Sequence, residues 1–307
     1  MFLFMSTKKN INALVGEIQT ILAPVYKDFT TREQYAWWIL EAITKSDKAT
    51  LIGRKEIELN ELSQAKLHEW LAEMTQEFMP LQCILGSVPF LDLEIIVQPP
   101  ILIPRPETEE WTAVLIDRLK PIQSHTLSIL DLCTGTGCIA LALAKAMPKS
   151  HIWGGHISHK AVELARKNAE HNSISNATFI HADLYNINEY IESNKLFDII
   201  VSNPPYISFD EFEELDDSVA TWEDKQALVA DDDGLAILED IIEGAPDYLT
   251  YNHELAELKI PQLVVEIGYK QAKPVADYFN SFGFTDVQVH KDLEGKDRYV
   301  SGRLKKE

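Results

Sequence analysis

Cysteine is scarce in this sequence: its 307 residues contain three cysteines, and no two of them form a CxxC pair. An odd, unpaired set of Cys83, Cys133 and Cys138 argues against a disulfide framework and against the common zinc and redox sites. We interpret the three as small apolar side chains of a protein from a reducing compartment, and we expect no metal site.

Basic residues are also few. The sequence has 28 Lys and Arg against 48 Asp and Glu, and its formal net charge is -20. A surface of that sign repels phosphate, and the basic residues are scattered along the chain. We therefore expect no direct binding of nucleic acid.

Long apolar runs are absent as well. No stretch approaches the roughly 18 uninterrupted apolar residues of a membrane span, and the apolar residues 1–5 are too short for a signal peptide. An Arg-rich mitochondrial leader is missing too. We expect a soluble monomer without membrane contact, located in the cytoplasm or, in a eukaryote, in the mitochondrial matrix.

The length and the hydrophobic pattern together predict two domains joined by a linker. Between residues 10 and 76, apolar side chains such as Ile11, Leu14 and Trp70 recur at helical spacing, so residues 1–80 are predicted to form a small all-helical domain. Residues 81–105 contain short apolar runs broken by four prolines, which is typical of a β-hairpin linker.

Residues 106–307 alternate between strand-like and helix-like patterns. Such alternation predicts an α/β fold, a doubly wound and Rossmann-like sheet with helices on both faces. The expected strands lie at residues 127–132, 151–157, 177–182, 197–202, 262–267 and 287–290. The acidic residues 208–233 show no regular pattern and are interpreted as a mobile loop near the site.

A glycine-rich motif follows the first of these strands, with Asp131 inside the strand and Gly135 and Gly137 in the turn. The glycines allow a sharp turn and let a ligand approach the main-chain N–H groups at the start of the next helix. The spacing is DxxxGxG, unlike the GxGxxG of dinucleotide sites, and no P-loop lysine follows, so phosphate binding is disfavoured. A tight turn without a ligand is the alternative if the motif is taken alone.

A second motif, Asn203-Pro204-Pro205-Tyr206, directly follows the apolar strand at residues 197–202. In a doubly wound sheet the carboxyl ends of the strands form the ligand crevice, so both motifs are expected at one edge. Asn203 has an acceptor oxygen, Pro204 a carbonyl in a stiff frame, and Tyr206 a flat ring. Together these groups suit a planar NH2 group, although a proline-rich turn that caps the strand is the alternative.

Four further segments accompany the two motifs. They are Leu-Gln-Cys-Ile-Leu-Gly at 81–86, Ile-Pro-Arg-Pro-Glu-Thr-Glu at 103–109, Val-Glu-Ile-Gly-Tyr at 265–269 and Lys-Asp-Leu-Glu-Gly-Lys-Asp-Arg at 291–298. In this order and spacing, the sequence resembles the HemK/PrmC family, the N5-glutamine methyltransferases of peptide chain release factors, over nearly the whole chain. The resemblance implies S-adenosylmethionine as the cofactor and a class 1 release factor as the protein substrate, with residues 1–80 as its docking domain and 106–307 as the methyltransferase domain.

The resemblance also implies roles for individual residues. Asn203, Pro204 and Tyr206 would be catalytic, and the substrate glutamine would be bound by Asn203, Pro204, Pro205 and Tyr206. The cofactor would be bound by the glycine-rich motif, by two strand ends and by the second motif, through Asp131, Cys133, Thr134, Gly135, Thr136, Gly137, His156, Asp183, Leu184 and Asn203.

Two positions depart from the family pattern. Cys133 stands where many members have glycine, which is acceptable if its backbone angles are ordinary. His156 stands where the family has an acidic ribose ligand, and a histidine with an ordinary pKa of about 6.5 predicts cofactor binding that weakens as the pH falls. The roles of Arg105, Glu107 and Arg298 stay open, because each residue is also compatible with a structural role.

Other functions would use a similar site. Methylation of a ribosomal-protein glutamine would use the same pocket. N6-methylation of adenine in DNA is disfavoured by the net charge of -20 and by the lack of room for a base-reading domain. A non-catalytic cofactor-binding scaffold is disfavoured by the second motif, because a scaffold has no need to hold an amide.

Overall fold

The computed structural model describes residues 8–187, 189, 191 and 195–305. The chain divides into two compact units, the first comprising Met1–Gly86 and Asp217–Trp222 and the second Ser87–Asp216 and Glu223–Glu307. The division into 1–80, 81–105 and 106–307 stays a prediction. Within the described ranges, no helix combines the length and the apolar character that are needed to cross a bilayer.

The first unit is built mainly from helices that begin at a capping residue. Asn10, Asp28, Asp47 and Asn60 each accept a hydrogen bond from a backbone N–H of the following helix, which would otherwise lack a partner. The helices are α1 Ile11–Leu22, α2 Phe29–Thr44, α3 Lys48–Arg54, α4 Glu61–Gln76, α5 Leu81–Leu85 and, from later in the chain, α10 Asp217–Trp222.

The all-helical prediction for this region needs one correction. Two short strands, β1 Lys9–Asn10 and β2 Glu56–Ile57, pair in antiparallel fashion. Runs of two residues are too short to produce a periodic signal in a sequence. The apolar residues that predicted the helices do form the core of this unit, which includes Ile18, Leu40 and Met74.

The second unit contains one large sheet. Its strands are β5 Ser128–Leu132, β6 His151–His156, β7 Ala177–His181, β8 Ile199–Ser202, β9 Leu263–Glu266, β10 Phe284–Lys291 and β11 Asp297–Leu304. They lie in the order β7-β6-β5-β8-β9-β11-β10. Strands β7 to β9 are parallel, and β11 is antiparallel to both of its neighbours. The predicted doubly wound α/β fold is confirmed.

Six of the seven strands correspond to predicted ones, with ends displaced by at most three residues. Strand β11 is not among the predicted strands. Its sequence mixes charged and small residues, and it pairs with β9 on one side and β10 on the other. Its place in the sheet therefore depends on its neighbours more than on its own composition.

Helices alternate with the strands of this sheet. They are α6 Pro106–Leu119, α7 Cys138–Ala146, α8 His159–His171, α9 Phe209–Phe212, α11 Asp231–Gly234, α12 Ala236–Tyr248, α13 His253–Glu257 and α14 Ala272–Ser281. Strands β5, β8 and β9 are buried over almost their whole length, as expected for a parallel sheet that is covered on both faces.

A hairpin, β3 Ser87–Phe90 and β4 Leu93–Ile96, forms within the region predicted for it. Asn168 of α8 and Asn172, the residue directly after α8, cover the edge of β4 that faces away from β3. Asn168 accepts from the Ile96 N–H at 2.7 Å and donates to the Ile96 carbonyl at 3.0 Å. Asn172 does the same for Glu94, at 3.1 and 2.9 Å. The buried Asn168 therefore ties α8 to the edge of β4.

The interpretation of residues 208–233 as an irregular loop is wrong in part. The segment contains α9, α10 and α11 and a short 3-10 turn at Lys225–Ala227. Each of these elements is at most six residues long, so none gives a helical period in the sequence.

Candidate active site

The two sequence motifs meet because β5 and β8 are adjacent parallel strands. Leu132 is in register with Ser202, so the chain leaves both strands at the same edge of the sheet. The Ser202 hydroxyl donates to the Leu132 carbonyl at 2.8 Å and ties the two strand ends together. The strand order reverses at β5, and such a point in an open α/β sheet is where ligands bind.

The glycine-rich motif forms a tight turn into α7. The Thr134 N–H donates to the Gly155 carbonyl at 3.0 Å, and the Gly137 N–H donates to the Thr134 carbonyl at 2.8 Å. Gly137 has a φ of +83°, and an added Cβ would lie 3.0 Å from both Ala165 and Phe179. Glycine is therefore required at residue 137 by backbone conformation and by packing.

Cys133 does not have the ordinary backbone angles on which its acceptability depended. Its φ is +58°, in the left-handed region that favours glycine, which accounts for the glycine expected at this position. Burial raises the pKa of its thiol to about 12. The thiol is therefore protonated at neutral pH and is not a nucleophile.

Asp131 lies behind the turn. Its Oδ2 accepts from the Thr134 hydroxyl at 2.5 Å and from the Ala140 N–H at 3.3 Å. Its Oδ1 is buried and has no partner among the residues that the structure describes. Burial raises the pKa of this carboxyl to about 7, against the two hydrogen bonds that lower it. Asp131 thus supports the turn from within the protein.

A cavity of about 440 Å³ opens at the meeting point of the two motifs. Seven of the predicted site residues line it: Cys133, Gly135, His156, Asp183, Leu184, Asn203 and Pro205. Six others are not in its wall: Asp131, Thr134, Thr136, Gly137, Pro204 and Tyr206. The first group is placed to contact a ligand, and the second holds the loops that carry the first.

Residues 208–233 contribute much of the opposite wall, so their predicted position near the site is correct. Phe209, Asp224, Gln226, Val229 and Asp231 all line the cavity. These lining residues have no recognisable sequence pattern, since a short irregular segment does not reveal which side chains face inward.

His156 stands at the end of β6 and lines the cavity. Its Nδ1 accepts a hydrogen bond from the Ser158 N–H at 2.9 Å. Burial lowers the pKa of the imidazole to about 4, although the Asp224 carboxylate opposes the shift. His156 is therefore neutral between pH 5.5 and 8 with its hydrogen on Nε2, and this neutral state does not support the predicted weakening of cofactor binding near pH 6.5.

Asn203 and Tyr206 are held by a buried carboxylate, Glu266 of β9. The Tyr206 hydroxyl donates to Glu266 Oε1 at 3.1 Å. Thr108 and Trp111 of α6 both donate to Glu266 Oε2 at 2.7 Å. Asn203 Nδ2 in turn donates to the Thr108 hydroxyl at 3.1 Å. Glu266 therefore connects α6 with the second motif.

The sequence matches the model of the methyltransferase small domain family over residues 104–220. A release factor glutamine methyltransferase from Lactococcus lactis subsp. lactis is 38% identical over 289 residues, which cover 94% of this chain and 98% of that protein. The chain belongs to the release factor glutamine methyltransferase family. The resemblance to the HemK/PrmC methyltransferases is thereby confirmed.

Two further members of the release factor glutamine methyltransferase family are similar over most of their length. The protein from Thermodesulfovibrio yellowstonii is 38% identical, over 77% of this chain and 81% of that protein. The protein from Geobacter sulfurreducens is 34% identical, over 87% and 88% respectively.

In this methyltransferase, two of the undecided charged residues form ion pairs. Arg105 pairs with the buried Glu223 at 2.6 Å, which ties the start of α6 to the segment that forms the cavity wall. Arg298 pairs with the buried Asp292 at 3.0 Å, within the β10–β11 turn. Glu107 lies in the first turn of α6, where a negative charge is favourable.

The residues that the sequence analysis missed in this methyltransferase are Thr108, Trp111 and Glu266. Thr108 and Glu266 are in segments that carried the family resemblance, but their contact spans 158 residues of sequence. A threonine in a first helical turn is ordinarily read as part of the helix start, and a glutamate after an apolar strand as its exposed end. Only the fold brings them together.

Proposed function

We propose that this protein transfers the methyl group of S-adenosylmethionine to the side-chain amide nitrogen, N5, of a glutamine in a protein. The glutamine is that of the Gly-Gly-Gln tip of a class 1 peptide chain release factor. One observation carries the proposal: Asn203, the acceptor suited to an NH2 group, lines the same cavity as Cys133, Gly135 and His156. The names of the relatives point to the same substrate.

The cavity suits the proposed cofactor in size and chemistry. Its volume of about 440 Å³ falls within the range of about 300–1,000 Å³ that is usual for small-molecule sites. Leu184 and Ile237 offer apolar surface for a flat base, and His156, Asp183 and Asp224 offer polar groups for a sugar. S-adenosylmethionine, when bound, supplies a methyl group that is activated by the positively charged sulfur.

The second motif would orient the glutamine nitrogen. An amide nitrogen is a poor nucleophile, because its lone pair is delocalised into the carbonyl. The Asn203 Oδ1 would accept a hydrogen bond from one N–H group, fixing the nitrogen and favouring the positive charge that develops on it. The acceptor role of the Pro204 carbonyl stays a prediction, because Pro204 is not in the cavity wall. Tyr206, outside the cavity wall, would hold the second motif in place through its hydroxyl bond to Glu266.

No strong base at the cavity is needed for this reaction. Burial raises the pKa of Tyr206 far above neutrality, and burial lowers that of His156 to about 4. The amide proton can leave after the nitrogen has been methylated, when that nitrogen is acidic. The chain therefore contributes to the reaction by orienting the glutamine nitrogen and by accepting hydrogen bonds from it.

The test is incubation with methyl-labelled S-adenosylmethionine and a class 1 release factor. We expect label on the tip glutamine of the native factor and none on a factor whose tip glutamine is replaced by alanine. Label that persists on the alanine factor would exclude this substrate site, and label found only on a ribosomal protein would shift the assignment to that protein.

We further propose that His156 and Asp224 share the recognition of the cofactor ribose. The Nδ1 of His156 already accepts from Ser158, so its Nε2–H can only donate to a hydroxyl. The carboxylate of Asp224, in the opposite wall, would supply the acceptor that a strand-end acid would otherwise provide. Asp224→Asn is expected to weaken S-adenosylmethionine binding about 10-fold, and His156→Ala by a similar factor. Calorimetric titration measures both.

The matched control is Asp210→Asn, an exposed carboxylate of the same acidic segment that does not line the cavity. It should bind like the parent, and the parent's dissociation constant should be flat between pH 5.5 and 8, since the pKa of His156 is about 4. Equal affinity of the Asp224 and Asp210 variants would show that Asp224 does not contact the ribose.

The helical unit is proposed as the docking surface for the body of the release factor. Leu62 at the start of α4 is 82% exposed, so its side chain is accessible to a protein partner. Leu62→Glu is expected to raise the KM for the intact release factor about 10-fold and to leave methylation of a short Gly-Gly-Gln peptide unchanged.

The control for that prediction is Leu293→Glu, a leucine of the second unit that is 92% exposed. It should change neither reaction. If Leu62→Glu impairs the peptide and the intact protein equally, the helical unit stabilises the enzyme and does not dock its substrate.

A further inference from the structure

We propose that Thr108 and Glu266 are positioning residues that fix which end of the Asn203 amide faces the substrate. The proposal rests on the function proposed above and extends it to two residues that contact neither substrate nor cofactor. It follows from the direction of three hydrogen bonds among groups of the second unit. Three of the residues involved, Thr108, Trp111 and Glu266, are almost fully buried, so water does not compete for these bonds.

The first step concerns Glu266. The Trp111 Nε1–H can only donate, and it lies 2.7 Å from Glu266 Oε2. Oε2 must therefore be an acceptor, whether or not a proton resides on the other carboxyl oxygen. When Oε2 carries no proton, every other polar group within hydrogen-bond distance of it must donate to it.

The second step concerns Thr108. Its hydroxyl is also 2.7 Å from Glu266 Oε2, and it has a single hydrogen to donate. That hydrogen is committed to Oε2, because two acceptor oxygens at this distance would repel each other. The remaining lone pairs of the hydroxyl can only accept.

The third step concerns Asn203. Its terminal amide is 3.1 Å from the Thr108 hydroxyl, and only its NH2 end can donate to those lone pairs. The flipped amide would place Oδ1 against an oxygen that has no hydrogen to offer. Oδ1 must therefore be the free end, and it accepts no hydrogen bond from the residues that the structure describes.

The three bonds fix Asn203 Oδ1 as an acceptor before the substrate amide binds. Asn203 lines the cavity, so its Oδ1 is available there for the N–H of an incoming amide. Without Thr108 the amide could rotate by half a turn and present NH2, which would repel the NH2 of the substrate. Most of the Asn203 amides would then be in an orientation that cannot hold the glutamine.

The test compares Thr108→Val, which keeps the shape and removes the hydroxyl, with Thr108→Ser, which keeps the hydroxyl. Thr112→Val is the matched control, since Thr112 is buried one turn further along α6 and donates to the Thr108 carbonyl at 2.7 Å. We expect Thr108→Val to lower kcat on the release factor about 10- to 100-fold relative to Thr112→Val. Thr108→Ser should stay within about 3-fold of the parent, and cofactor affinity should be unchanged in all three.

A second measurement does not depend on activity. In the parent, NMR should show slowed solvent exchange for one side-chain N–H of Asn203, and Thr108→Val should abolish that protection while Thr108→Ser and Thr112→Val retain it. Parent protein that fails to methylate glutamine would overturn the proposed function and leave the exchange result to decide the orientation. Equal exchange and equal kcat in Thr108→Val and Thr112→Val would overturn the present inference.

Discussion

Replacing Asn203 with alanine is expected to lower kcat on a class 1 release factor by about 100- to 1,000-fold. The side-chain oxygen accepts from the reacting NH2 most strongly as positive charge develops on the nitrogen, so its loss affects the transition state more than the ground state. The KM for the release factor should change by less than about 5-fold. Steady-state kinetics with the purified release factor measures both quantities.

Asn186→Ala, at an exposed asparagine beyond the end of β7, is the control for this substitution. It should leave kcat unchanged, and calorimetry should give both variants nearly the parent's affinity for S-adenosylmethionine. Turnover of the Asn203 variant within a few-fold of the control would remove the amide-holding mechanism, although the fold and the cofactor site would stand.

Replacing Asp131 with asparagine is expected to remove a large pH dependence of stability. The folded-state pKa of Asp131 is raised by burial from 3.8 to about 7. Between those pH values the unfolded chain loses the proton and the folded chain keeps it, so the free energy of unfolding falls as the pH rises. Three pKa units correspond to about 4 kcal/mol, fully expressed above pH 7 and absent below pH 4.

Asparagine cannot ionise, so the Asp131→Asn variant should lack this decline. Denaturant unfolding of the ligand-free protein from pH 4 to pH 8 measures the free energy of unfolding of parent and variant. The difference between the two free energies should change by about 2–4 kcal/mol in favour of the variant as the pH rises. The control is Asp210→Asn, at an exposed carboxylate. A parent-minus-variant difference that stays constant over this range would mean that Asp131 is ionised in the folded protein at all these pH values.

The main architecture is predictable from the sequence because it depends on local patterns. The runs that become β5, β6 and β8 are four to six residues long, are mostly apolar and are followed by turn residues or helix starts. Alternation with helical patterns then leaves few sheet topologies, and the reversal at β5 brings Cys133 and Asn203 together.

The features that were missed depend on contacts between distant parts of the chain or on backbone conformation. The +58° φ of Cys133 has no sequence signature when the residue is not glycine. The ring hydrogen of His156 lies on Nε2 because Nδ1 accepts from the Ser158 N–H. That hydrogen bond depends on the backbone conformation of the turn after β6. Strand β11 forms because it pairs with β9 on one side and β10 on the other. Asp224 is held in the cavity wall by the ion pair that its neighbour Glu223 makes with Arg105.

The pair of asparagines at the end of α8 has a consequence for the behaviour of the protein in a crowded solution. A β-hairpin normally presents unpaired N–H and C=O groups along its outer strand, and these can recruit a strand from another molecule. Asn168 and Asn172 stand four residues apart and satisfy both backbone groups of Ile96 and of Glu94, as a neighbouring strand would. Replacing Asn172 would leave both backbone groups of Glu94 open to a strand from another molecule, whereas replacing the buried Asn168 would also remove its bond to the Thr136 carbonyl and weaken the fold itself.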